Sequence, residues 1–67
     1  MTKQEIIDNP PDITVRIGKS TIRIGHVCAV REEIPSVCFA HNGVFVTIQV
    51  AWPTLLRCIN SNRDVRY

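Results

Sequence analysis

Arg16, Lys19, Arg23 and Arg31 are the only charged residues between Ile13 and Arg31. A guanidinium grips phosphate or carboxylate oxygens by two-pronged hydrogen bonds and an ammonium adds a compact point charge, so this run suits an anionic partner. The competing interpretation is a solvated strand face whose long aliphatic stems shield the backbone. Cys28, Cys38, Cys58, His26 and His41 supply the other reactive groups. They lack the Cys-x-x-Cys knuckle from which tetrahedral zinc sites are usually built, so we expect buried free thiols and no metal. Gly18-Lys19-Ser20-Thr21 has the look of a phosphate-binding loop end, but Ile13 stands where that loop needs a glycine, and strand-like Ile22-Arg23-Ile24 replaces its helix. No nucleophile or orienting carboxylate accompanies His41, so the sequence points to a non-enzyme with no cofactor and no small-molecule substrate.

Bringing the cations together requires a hairpin. Ile13, Val15 and Ile17 alternate with Thr14 and Arg16, and Ile22 and Ile24 flank Arg23, which predicts two half-buried strands. With Lys19 and Ser20 as the loop, Ile17 pairs with Ile22, Val15 with Ile24 and Ile13 with His26 on the buried face. That register sets Arg16 opposite Arg23, a like-charge pair that repels unless an anion neutralises it. Val27 and Ala29 then continue the outward face.

A second hairpin is predicted in the charge-free stretch from Ile34 to Leu56, centred on Asn42-Gly43. The favoured two-residue turn needs positive φ at both central positions, which Asn-Gly adopts at least steric cost. His41 then faces Val44, Phe39 faces Val46 and Val37 faces Ile48 on the core side. Cys38, Ala40, Phe45, Thr47 and Gln49 share the other face. Beyond Val50 the pattern turns helical from about Pro53 to Asn60, with Leu55, Leu56 and Ile59 toward the sheet. Thr2 and Glu5 have capping-box spacing for a brief N-terminal helical turn, which Asn9-Pro10-Pro11 ends. The expected fold is α+β: a four-stranded antiparallel sheet of two β-hairpins with one C-terminal helix on one face. Residues 1–12 form an N-terminal arm, 13–60 the ββββα domain and 61–67 a polar C-terminal tail.

At 67 residues and 45% apolar content the chain has room for one small core near the limit of independent stability. An odd cysteine count without a basic-then-apolar leader points to reduced thiols and a cytoplasmic setting. The charge-free stretch contains Pro35, Asn42, Gly43 and Pro53 and has a period of two, which argues against a membrane span. A net charge of +2 names no partner by itself. The sequence reading is therefore a homo-oligomer, most simply a homodimer, in which Arg16, Lys19, Arg23 and Arg31 contact nucleic-acid phosphates or an acidic protein surface. The alternative is a small inhibitor or adaptor that docks on a larger protein through its sheet face and edges, using Val27, Ala29, Cys38, Phe45 and Thr47.

Overall fold

The computed structural model describes residues 1–29 and 33–67, without the side chain of Ala29. Helix α1 (Lys3–Asp8) begins at the expected capping box, with the Thr2 amide donating to Glu5 Oε1 at 3.0 Å and the Glu5 amide donating to Thr2 Oγ1 at 3.3 Å. The arm is docked against the domain. Ile6 is fully buried, Lys3 Nζ lies 5.2 Å from the centre of the Trp52 ring, and Asn60 Nδ2 donates to the Met1 carbonyl.

Strands β1 (Asp12–Ile17), β2 (Thr21–Ala29), β3 (Ser36–His41) and β4 (Val44–Gln49) form the two hairpins. Helix α2 (Trp52–Asn60) follows, and β5 (Val65–Arg66) pairs in parallel with β1, giving the sheet order β4-β3-β2-β1-β5. The architecture is α+β, but the sheet is mixed and five-stranded where four antiparallel strands were expected. Residues 65–66 carry the difference: Val65 is buried opposite Val15, and the Tyr67 amide donates to the Arg16 carbonyl at 2.9 Å.

The second hairpin has the expected register throughout, and its turn places Asn42 at φ 53° and Gly43 at φ 75°. The first hairpin is shifted by one residue. Gly18 adopts φ 64°, so Gly18-Lys19-Ser20 makes a three-residue loop that pairs Ile17 with Thr21, Val15 with Arg23 and Ile13 with Gly25. Because side chains alternate with period two, that single step turns every β2 residue to the other face. Ile22, Ile24 and His26 point outward, while Gly25 and Val27 point inward. His26 therefore leaves the core, and its Nδ1 lies 2.6 Å from Asp12 Oδ1.

Strand β2 serves two partners, pairing with β1 up to His26 and with β3 from His26 onward, with a bulge between Val27 and Ala29. The sheet curls around this shared strand. Gly25 sits at the bend, where a Cβ would lie 2.8 Å from Val37 Cγ1 and 2.9 Å from Val15 Cγ2, so only glycine lets the strands approach this closely. Inside the curl, Val15, Val37 and Phe39 are almost fully buried against Leu55 of α2, with Trp52 and Cys58 beside it. The expected stripe is present, since Leu55 is buried and Leu56 and Ile59 pack at its margins.

Cys28 and Cys38 form a disulfide across the outer face, which corrects the expectation of three free thiols; Cys58 alone is free and buried. An odd count without a Cys-x-x-Cys pair suggests three reduced thiols, but the pairing of β2 with β3 brings the Cα atoms of Cys28 and Cys38 to 5.9 Å, within bridging distance, and the cytoplasmic expectation loses that ground. No helix among the described residues is long and apolar enough to cross a membrane.

Candidate anion-binding cleft

The end of α2 sets up the site. Ser61 caps the helix, Asn62 takes φ 52°, and the Arg63 amide donates to the Cys58 carbonyl at 2.9 Å, a closure that satisfies a terminal carbonyl and reverses the chain. The returning segment brings Arg63, Asp64 and Arg66 beside β1. Asp64 accepts from Thr14 Oγ1 and from Arg16 Nε at 3.4 Å, and Arg16 Nη1 donates to the Lys19 carbonyl at 3.2 Å. Arg16 thus braces the hairpin tip against the start of β5.

These elements leave an open cleft of about 1040 Å³. Arg16, Lys19, Arg57, Arg63 and Arg66 line it, and Asp64 is the one acid in the lining. Ile48, Val50 and Ala51 add apolar groups to the lining. Arg16 is already paired with Asp64, whereas Lys19, Arg57, Arg63 and Arg66 make no ion pair among the described residues. Cations of one sign against low-dielectric walls focus the field and raise the local concentration of anions. The N-terminus of α2, which no side chain caps, opens into the same cleft at Ala51 and Thr54 and adds positive dipole potential.

Of the cations singled out from sequence, Arg16 and Lys19 line the cleft. Arg23 does not. The register shift places it opposite Val15, on the face opposite to Arg16, and its Nη1 donates to the Ile22 carbonyl at 3.2 Å. The like-charge pair of Arg16 with Arg23 is therefore absent: Arg16 faces Ile22 instead. Arg31 lies outside the described residues, as does the side chain of Ala29. Val27, expected at an outer interface, is a core residue with 6% exposure. Cys38, Phe45 and Thr47 do share the outer face, Cys38 as half of the disulfide and Phe45 at 71% exposure.

Sequence reasoning missed Arg57, Arg63 and Arg66. The alternation of Asp64, Val65 and Arg66 was a signal, but two residues are too few to declare a strand. Among the described residues, no group of three or more His, Cys, Asp and Glu side chains gathers to hold a metal ion. Comparison with protein-family models, with curated proteins and with solved structures returned no match, so the functional reading rests on the cleft itself.

Proposed function

We propose that the chain is a small non-enzymatic binding protein that grips nucleic-acid phosphates in the basic cleft. One observation carries this reading: five cations and a single, already engaged carboxylate line one concavity. The lining combines cations with aliphatic groups rather than aromatic rings, which suits backbone contacts more than base stacking or base readout. Binding of this kind is sequence-tolerant and depends on counterion release.

The test is fluorescence anisotropy with short labelled DNA and RNA, single-stranded and duplex, at low salt. Arg57→Glu combined with Arg63→Glu should abolish binding, while Arg23→Glu, outside the cleft, should leave most of it. Retained binding in the double variant, or loss in Arg23→Glu alone, rejects the cleft as the site.

A second reading, an inhibitor or adaptor docking on a larger protein, draws on the exposed outer sheet face, where Ile24 is 66% and Phe45 71% exposed. It predicts that Phe45→Asp disables function while Arg57→Glu with Arg63→Glu does not.

A further inference from the structure

Four side chains form one row across the outer face of the sheet. Asp12 on β1 is the register partner of His26 on β2, His26 of Cys38 on β3, and Cys38 of Thr47 on β4. Directly opposed residues hold their Cβ atoms about 4.5–5.5 Å apart, so each group stands within reach of the next. His26 Nδ1 lies 2.6 Å from Asp12 Oδ1, and Cys38 Sγ lies 3.4 Å from Thr47 Oγ1. Cys38 carries no S–H while it is bonded to Cys28, so the Thr47 hydroxyl is the donor. With Nδ1 engaged by the carboxylate, Nε2 is the ring nitrogen left free. Cys28 is the residue without a register partner in the bulge between Val27 and Ala29, and the bulge brings it to Cys38 while His26 keeps the opposed position. Cys28 is exposed and Cys38 half-buried. None of these five residues lines the basic cleft.

We infer that the Cys28–Cys38 bond is a thiol–disulfide exchange site for small aliphatic thiols, opened at Cys28, with His26 and Thr47 receiving the charge that develops on Cys38. The exposed sulfur is the one an incoming thiolate reaches. Its attack forms a bond to Cys28 Sγ as the Cys28–Cys38 bond breaks, and the electron pair departs on Cys38 Sγ. Thr47 Oγ1 donates to the departing thiolate, and the imidazolium form of His26 gives it the Nε2 proton. The incoming sulfur is thereby oxidised to a mixed disulfide with Cys28, Cys38 is reduced to a thiol, and His26 ends neutral. The disulfide itself is the oxidant. Exchange quickens as the leaving thiolate is better stabilised, and a neighbouring His⁺ is one of the groups that stabilise a thiolate most. Asp12 is a positioning residue: it holds the imidazole by Nδ1 so that Nε2 is the nitrogen offered to the sulfurs.

The test mixes the oxidised full chain with excess glutathione, quenches with acid and reads the products by mass spectrometry, with peptide mapping of the adduct. Opening should run about tenfold faster than exchange with the disulfide of mercaptoethanol under the same conditions, and glutathione should sit on Cys28. His26→Gln and Thr47→Val, both checked for folding by circular dichroism, should each slow opening, His26→Gln by about tenfold. His26→Lys, which restores a cation, should recover most of the rate. Asp12→Ala should slow the native chain yet leave His26→Gln unchanged, a dependence that a purely structural role would not produce. Opening no faster than the reference disulfide, an adduct on Cys38, or a rate indifferent to His26→Gln would overturn the inference and leave the bond as a brace alone.

Discussion

Reducing the Cys28–Cys38 bond should remove much of the stability of the domain. The bond links residues 10 apart in sequence, and in the chain-entropy description closing a loop of that size disfavours the unfolded state by about 2.7 kcal/mol at 25 °C. A core as small as this one seldom provides more than ~3–5 kcal/mol in all. Losing the cross-link therefore lowers the melting temperature by roughly 10–20 °C at about 4–8 °C per kcal/mol for a domain of this length. Cys28 is exposed and reductant can reach it in the folded state. The assay is thermal unfolding followed by circular dichroism, with and without a phosphine reductant, alongside the Cys28→Ser/Cys38→Ser double variant. Mass spectrometry confirms the oxidation state of each sample. The reduced protein and the double variant should melt together, well below the oxidised form. Superimposable melts for verified oxidised and reduced samples would refute the reasoning.

Gly25→Ala should destabilise by about 1–3 kcal/mol, because its Cβ would enter the 2.8 and 2.9 Å gaps to Val37 and Val15; an unchanged or higher urea midpoint would deny that close approach shapes the bend. Asp64→Asn should lower stability by up to about 1 kcal/mol by weakening the partly exposed pair with Arg16, yet tighten oligonucleotide binding by removing the cleft's single negative charge, and anisotropy beside a melt reads both directions. Glu5 should titrate below its ordinary value of 4.5, first because the Thr2 amide donates to its carboxylate and second through the Thr2 side chain. A carboxyl whose folded pKa is depressed contributes stability fully above its unfolded pKa and loses it as pH falls through the folded one, so α1 should loosen only below about pH 4.5. Carboxyl chemical shifts of Glu5 followed by NMR check this, and a midpoint at or above 4.5 would count against the capping box.

The two hairpins differ in how far sequence determines them. Asn42-Gly43 admits one loop length, so the phase of β3 and β4 was readable residue by residue. Gly18-Lys19-Ser20 accommodates a loop of two or of three, and hydrophobicity favoured the wrong choice because Ile22 and Ile24 are more apolar than the Arg23 and Gly25 that replace them inside. Arg23 is tolerated on the inner face because it stays exposed there. The overlooked signal was Gly25: a glycine within a strand marks a place where neighbouring backbones and side chains crowd. Strand β5 was invisible for another reason. It has only two residues, too few for the alternation at Asp64, Val65 and Arg66 to stand out as a strand, and its partner β1 lies some fifty positions away. With β5 unseen, Arg63 and Arg66 looked like tail residues and the cleft could not be assembled.

The most direct measurement is the salt dependence of single-stranded oligonucleotide binding. If Lys19, Arg57, Arg63 and Arg66 each meet one phosphate, the logarithm of affinity should fall against the logarithm of salt concentration with a slope of about −3. A slope near zero, or no binding at low salt, would contradict the assignment of the cleft to phosphates.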